Sequence, residues 1–413
     1  MTTQFQFPNG FLWGTATAAH QVEGNNINSD FWVMEHVPGT MFAEPSGDAC
    51  DHYHRYCDDI ALLVELGFNT YRFSVEWARI EPEEGCFSRA SLEHYRRMLT
   101  ACHEHGLTPM ITFHHFTSPR WLIAAGGWES KETPAKFARY CERTTRYLGD
   151  LIGAACTINE ANIGAVLVNA GHMPPVGVTQ QAPWWTAAAR AVGVPTDQFA
   201  PFIFALSPQA VDIILTAHRR SVEAIKAAGG SFPVGITLAL QDVQATAGGE
   251  ARAAQLNRQI NDIFLEPLHG DDFVGVQSYS RMRVGHDGPL PAEEGAELTQ
   301  MGYEFYPEAL EATIRNAIAV AGIPVIVTEN GIGTVDDTRR IAYVERALRS
   351  VARCLSDGLD VRGYTYWSAL DNFEWMLGYR PAFGLIAVDR ETQQRIVKPS
   401  ARWLGAIARA NGF

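Results

Sequence analysis

Short apolar runs alternate along the chain with longer segments of helical spacing, and the alternation repeats eight times. β-Branched and aromatic runs predict strands at Phe11–Thr17, Asn69–Val75, Pro109–Phe113, Ala155–Glu160, Val234–Leu240, Phe273–Tyr279, Val325–Glu329 and Gly363–Trp367. Apolar residues recur at helical spacing in Asp58–Leu66, Ser91–Glu104, Pro134–Leu151, Val211–Ala228, Ala309–Val320 and Arg340–Cys354. Gly67 and Gly106 follow two of these helices, where a left-handed residue closes the last turn. Eight strand-and-helix units with no low-complexity linker predict the α/β class. A parallel sheet closed into a single (β/α)8 TIM barrel over residues 1–413 is the natural solution. The least regular stretches are Gly171–Pro208, with its Pro174-Pro175 and Trp184-Trp185 pairs, and Gly285–Gly302. Both read as long loops over a site.

In such a barrel the chemistry sits at the carboxyl ends of the strands. The residues near those ends include Gln21, Arg72, His115, Glu160, Tyr279, Glu329 and Trp367. Glu329 closes the run Pro324-Val325-Ile326-Val327-Thr328, which then stops at Asn330-Gly331. A carboxylate ending an apolar strand is expensive to bury unless it is paired or used. Glu160 closes Ala155-Cys156-Thr157-Ile158-Asn159 in the same way. Two carboxylates facing one pocket is the arrangement that glycoside hydrolysis needs.

Composition narrows the partners. With 46% hydrophobic and 19% charged residues, the 413-residue chain has ample core for a globular protein. A formal net charge of -13 argues against nucleic acid or an anionic membrane surface as partner. No apolar stretch approaches the roughly 20 residues of a membrane span. The start, Met1 to Pro8, lacks a basic segment followed by a long apolar one, so no signal peptide is expected. Seven irregularly spaced cysteines suit reduced thiols in a cytoplasm. Cys50-Asp51-His52-Tyr53-His54 and His103-Glu104-His105 look metal-like but lack ligand spacing on a helix face or a second cysteine pair. Gly331-Ile332-Gly333 lacks the third glycine and the following helix of a dinucleotide loop. Neither a metal nor a cofactor is therefore expected.

Five stretches carry a resemblance. They are Phe11-Leu12-Trp13-Gly14-Thr15-Ala16-Thr17-Ala18-Ala19-His20-Gln21-Val22-Glu23-Gly24, Tyr71-Arg72-Phe73-Ser74, Asn159-Glu160, Thr328-Glu329-Asn330-Gly331, and Trp367-Ser368-Ala369-Leu370-Asp371-Asn372-Phe373-Glu374-Trp375. In this order and at these positions the chain resembles glycoside hydrolase family 1, the retaining β-glucosidase family, over nearly its whole length. The resemblance implies that Glu329 is the nucleophile and Glu160 the acid/base. It implies that Arg72 and Tyr279 hold the nucleophile and that Asn159 meets the sugar 2-hydroxyl. It further implies that Gln21, His115, Glu374 and Trp375 bind the other hydroxyls, while Trp367 stacks beneath the ring. The implied substrate is a small β-glycoside or oligosaccharide: β-D-glucosides first, with β-galactosides or β-fucosides beside them. Transfer to other acceptors accompanies hydrolysis, because water and acceptors compete for one intermediate.

The roles agree with the chemistry. A retaining mechanism holds the carboxyl groups roughly 5 Å apart, so that one attacks C1 directly. One must be ionised while the other is protonated, so their environments must separate their pKa values. A guanidinium beside Glu329 favours its anion, and a drier Glu160 near that charge keeps its proton. Once the glycosyl-enzyme has formed, Glu160 serves as base.

The sequence also departs from the family. Ala161 replaces a usual proline and is expected to loosen the acid/base turn. Phe116 replaces a common tryptophan, Gln277 the usual asparagine, and Tyr303 an aglycone-stacking tryptophan. Phe116 at the sugar is expected to lack one indole N–H contact, and Tyr303 with the atypical Gly171–Pro208 stretch predicts a more open aglycone side and relaxed acceptor choice. Glu374 disfavours a phosphosugar, and Glu160, where a thioglucosidase has glutamine, disfavours thioglucosides. A catalytically inactive sugar-binding barrel, acting as sensor or receptor, is the alternative of a different class.

Overall fold

The computed structural model describes residues 5–413; Met1 to Gln4, the first half of the segment read for a signal peptide, lie outside the described residues. Eight parallel strands close on themselves. They are Leu12–Ala16 (β1), Thr70–Ser74 (β2), Thr108–His114 (β3), Ala154–Ile158 (β4), Val234–Ala239 (β5), Phe273–Gln277 (β6), Val325–Asn330 (β7) and Val361–Trp367 (β8). Each pairs with its sequence neighbours, and β1 pairs with both β2 and β8, so no edge is left open. The expected barrel and all eight expected strands are present, within a residue or two at each end.

Each strand is followed by an outer helix: His52–Leu66 (α1), Arg89–Glu104 (α2), Thr133–Leu148 (α3), Pro208–Ala227 (α4), Glu250–Asn257 (α5), Ala309–Ala321 (α6), Asp337–Ser356 (α7) and Pro399–Ala410 (α8). Local chemistry sets their ends. Gly67 adopts φ 104° and its N–H bonds the carbonyls of Leu63 and Val64, closing α1. Ser88, Ser207 and Asp336 accept N–H bonds at the starts of α2, α4 and α7. Helices α5 and α8 were not among the six expected. Helix α5 is short and runs into a π turn at Arg258–Asp262, which breaks the 3.6 period.

The strands are buried on both faces, as parallel strands must be when helices cover one side and packed side chains the other. Met110, Ala154, Cys156, Phe273 and Ile326 fill the barrel interior below the site. A knot of rings from Phe5, Phe7, Phe11, Trp13 and Phe413 gathers at its amino end, and the Trp13 indole donates to Asn411 Oδ1 at 2.9 Å. This anchors α8 against β1.

The loop expected at Gly171–Pro208 holds a helix instead, Pro183–Val192. Its Trp184 and Trp185 are buried among Phe199 and Phe204 rather than spread over the site. The Trp185 indole bonds the Thr196 carbonyl at 2.9 Å. The segment Gly285–Gly302 is largely irregular, as expected, but it starts from an additional three-stranded sheet of Asp242–Ala245, Arg281–Gly285 and Gly288–Pro289. Among the described residues no helix is long and apolar enough to cross a membrane.

The two metal-like stretches are engaged in the fold. His52 bonds Asp59 at 2.7 Å, His54 bonds Asp51 at 2.7 Å, and Cys50 Sγ donates to the Asp371 carbonyl at 3.3 Å. His103 meets the Leu151 carbonyl at 2.8 Å.

Candidate active site

A cavity of about 650 Å³ opens at the carboxyl ends of the strands. Its wall includes His115, Asn159, Glu160, Tyr279, Glu329, Trp367, Glu374 and Trp375, together with Phe116 and Tyr303. Of the sequence-predicted residues, Gln21 and Arg72 do not line this wall. They sit behind it and hold those that do.

Arg72, at the middle of β2, is 1% exposed. Its guanidinium donates to Glu329 Oε1 at 2.6 Å, to the Thr328 carbonyl at 3.2 Å and to Asn159 Oδ1 at 2.6 Å. The planar fork thus spans two strands and ties the Glu329 carboxylate to the Asn159 amide. Burying the guanidinium is costly, and these bonds offset that cost. The Tyr279 hydroxyl donates to the other oxygen, Glu329 Oε2, at 2.7 Å. Both oxygens of Glu329 are therefore held by donors. The Asn-Gly that ends β7 has a further cause. A Cβ on Gly331 would lie 2.1 Å from the Trp367 carbonyl oxygen, so only glycine lets the ends of β7 and β8 approach this closely.

Glu160 is different. Its backbone φ is 44°, the left-handed region, which costs of order 1 kcal/mol for a side-chain-bearing residue. The surrounding turn is tied down. The N–H of Glu160 donates to Thr237 Oγ1 at 3.0 Å, and the N–H of Ala161 to the Thr237 carbonyl at 3.1 Å. Asn162 donates to the carbonyls of Ala239 at 3.0 Å and Ile260 at 2.7 Å, and accepts from the Ala239 N–H at 2.8 Å. The expectation that Ala161 loosens this turn is therefore corrected. Alanine supplies an N–H that proline lacks, and that N–H fastens the turn to β5. Among the described residues no donor meets the Glu160 carboxyl, which faces the cavity.

The electrostatics of the two carboxyls diverge accordingly. Burial, then the charge of Glu329, pushes Glu160 well above the ordinary carboxylate range, with Arg72 opposing. Burial also raises Glu329, but Arg72, Tyr279 and Gln277 pull it back. Of the pair, Glu160 keeps its proton to higher pH. A carboxyl that ionises first beside one that keeps its proton longer is the division of labour that glycosidic cleavage uses.

The sugar-binding candidates surround this pair. Asn159 Nδ2 faces His115 Nε2 at 3.1 Å, so that nitrogen accepts and Nδ1 carries the hydrogen. His115 Nδ1 has no protein partner, and burial, then Arg72, drives its pKa well below the usual value. Glu374 is pushed up to about 8 by burial, then by the charge of Glu329, against bonds from Trp367 and Gln21. Gln21 Nε2 donates to the Phe373 carbonyl at 2.8 Å and to Glu374 Oε2 at 3.5 Å, leaving its Oε1 without a partner.

Some participants carried no sequence-based role. Gln277, noted only as a departure, donates to Asn159 Oδ1 at 2.8 Å and Thr237 Oγ1 at 3.1 Å. Thr237 also donates to Asn159 Oδ1 at 3.1 Å. The rings of Trp367, His115, Trp375 and His20 form a near-parallel column, with centroids 5.7, 6.0 and 5.8 Å apart. His20 anchors the column through Glu35 at 2.7 Å and Asn26 at 3.1 Å. Its one sequence signal was its place beside Gln21.

A closed parallel barrel whose strand ends present two carboxyls that hold their protons unequally, walled by aromatic rings and amides, belongs to the carbohydrate-cleaving class. Comparison with known proteins narrows this. The model described as Glycosyl hydrolase family 1 matches residues 3–298 and 286–413. The chain belongs to that family and is a glycoside hydrolase. It is similar to β-glucosidase A of Thermotoga maritima, 31% identical over 463 residues and covering 99% of each chain. It is also similar to thermostable β-glucosidase B of Thermobispora bispora, 33% identical, covering 98% of this chain and 91% of that one. Among solved structures it is similar to β-glycosidase BGL167, 59% identical with TM-score 0.95, covering 98% of this chain and 97% of that chain.

Proposed function

We propose that the protein is a retaining β-glucosidase, with Glu329 as nucleophile and Glu160 as acid/base, acting on small β-glycosides in a cytoplasm. The observation that carries the assignment is the unequal treatment of the two carboxyls. Arg72 and Tyr279 each hold one oxygen of Glu329, whereas Glu160 faces the cavity with no donor on its carboxyl. In the first step Glu329 attacks the anomeric carbon while Glu160 gives its proton to the leaving oxygen. Attack neutralises Glu329. The charge that kept Glu160 protonated then falls away, so Glu160 can take a proton from water or from another acceptor in the second step. Arg72 and Tyr279 act through Glu329, and Asn159 is placed to meet the 2-hydroxyl. Gln21 acts by holding Glu374, while Glu374, His115 and Trp375 meet the other hydroxyls and Trp367 the ring face.

Glucose heads the list of sugars, since the curated relatives above are named β-glucosidases. Fucosides follow, in line with a relative from Bifidobacterium breve named bifunctional β-D-glucosidase/β-D-fucosidase, 31% identical over 473 residues. Seven unpaired cysteines accord with a cytoplasmic location. Nothing favours the inactive receptor: both carboxyls are present, and Arg72 and Tyr279 hold Glu329.

The test is covalent trapping with a 2-deoxy-2-fluoro-β-glucoside bearing an activated leaving group. Glu329 should gain one fluoroglucosyl mass, and Glu160→Ala should recover turnover when azide is supplied, giving a β-glucosyl azide. A label on another residue, or an α-configured azide product, overturns the assignment.

A further inference from the structure

We infer that the leaving group this enzyme prefers is apolar: the alcohol or phenol part of a β-glucoside, not a second sugar. This deepens the β-glucosidase reading and rests on it.

The argument starts from Glu160. As acid it must reach the leaving-group oxygen, so the wall next to Glu160 faces the aglycone. A short helix, Ile163–Asn169, begins three residues after it. Ile163, Val166 and Leu167 on this helix line the cavity. Val166 packs with Ala239, Met282 and Val284, which joins the helix to the additional three-stranded sheet in one apolar patch. Leu290, 42% exposed, extends that surface to the mouth.

Methionine is concentrated here. Of the nine methionines in the chain, Met41, Met173, Met282, Met301 and Met376 line this one cavity. Unbranched thioethers adapt their shape to varied apolar partners and offer no hydrogen-bond donor.

The charged groups of the same wall are already paired. Arg281 is bonded to Glu304 at 2.9 and 2.7 Å and to Gln244 at 3.1 Å. Arg283 meets Glu293 at 2.9 Å. Gln241, His172 and the Tyr303 hydroxyl are the polar groups left on this side of the wall without a protein partner among the described residues. A glucosyl leaving group carries several hydroxyls, and each one buried against methionine and leucine without a partner costs affinity. An alkyl or aryl group pays no such penalty.

The experiment measures kcat/KM for methyl, propyl, butyl and hexyl β-glucosides and for cellobiose. The alkyl series keeps the leaving-group chemistry nearly constant and varies only apolar length. The expected rise is about threefold per methylene, which over five methylenes is about 240-fold from methyl to hexyl, with hexyl above cellobiose. The slope should flatten in Met173→Gln and in Met282→Gln, two variants on different elements, so that misfolding of one leaves the other informative. A flat wild-type series, or cellobiose above hexyl, overturns the inference. So does a steep series that survives both substitutions, because the binding would then lie elsewhere. Fluoroglucosyl labelling of the same preparation separates the failures. A labelled enzyme with a flat series loses only the aglycone assignment, whereas an enzyme neither labelled nor active on any glucoside loses the glucosidase reading and this inference with it.

Discussion

Replacing Arg72 by methionine tests how the site prepares Glu329 for its proposed role as nucleophile. The substitution keeps much of the side-chain volume and removes a guanidinium that is 1% exposed. It deletes the 2.6 Å bond to Glu329, the 2.6 Å bond to Asn159 and the 3.2 Å bond to the Thr328 carbonyl. Breaking a buried ion pair by removing one partner costs about 3–5 kcal/mol, because the other charge stays buried and uncompensated. Glu329 can escape that cost by taking up a proton. The sign is fixed: Arg72 lowers the Glu329 pKa and burial raises it, so losing Arg72 leaves burial unopposed on that side and the pKa goes up. Below the raised pKa Glu329 is neutral. At neutral pH, kcat/KM for p-nitrophenyl β-glucoside should fall by about 10²–10⁴-fold, at about 1.36 kcal/mol per tenfold. The acid limb of the pH profile should move to higher pH, and raising the pH should recover part of the loss. Arg72→Lys, which keeps the charge but cannot bridge Glu329 and Asn159 with one planar fork, should fall between. Circular dichroism and urea unfolding establish that each variant is folded. A folded Arg72→Met enzyme within tenfold of wild type, with an unmoved acid limb, would refute the reasoning.

Gly331→Ala places a methyl 2.1 Å from the Trp367 carbonyl and 3.1 Å from the Tyr366 ring. It should cost about 1–3 kcal/mol in urea unfolding and lower kcat through a displaced Trp367; an unchanged unfolding midpoint would count against the close approach. Of the seven cysteines, Cys57 and Cys86 are exposed and the other five buried. Burial pushes the thiols of Cys50 and Cys102 up to about 12. Ellman's reagent should therefore titrate two thiols in the native protein at neutral pH and seven in guanidinium, and a third fast-reacting thiol would show that the fold opens locally.

The barrel was legible because its strands are apolar runs that no amphipathic helix would produce, and because Glu329 and Glu160 interrupt that apolarity at the strand ends. The helix Pro183–Val192 was not legible. Its sequence, Pro-Trp-Trp-Thr-Ala-Ala-Ala-Arg-Ala-Val, has almost no polar stripe, and its flanking prolines mimic a loop. The small sheet escaped for the opposite reason: Asp242–Ala245 is short and part-polar, and pairs in parallel with a strand some forty residues away. In the site, residues that touch the carboxyls follow from motif and charge. Gln277 and Thr237 act through hydrogen bonds across strands, and His20 is anchored by Glu35 from one short helix to the next; no local pattern encodes such pairings. Ala161 misled for a related reason. Its side chain suggested slack, whereas its backbone N–H makes the bond.

The turn Asn159–Asn162 is stapled to β5 by backbone and amide bonds, while the apolar wall next to it hangs on a short helix and a sheet inserted between barrel strands. Reactivity and leaving-group choice thus reside in adjoining parts held in different ways, one by hydrogen bonds and the other by apolar packing. Lineages that exchange or lengthen the segments between strands can explore new aglycones while the proton donor stays at its station. A designer who grafts a different segment between Ile163 and Ser207 should inherit the chemistry and alter only its clientele.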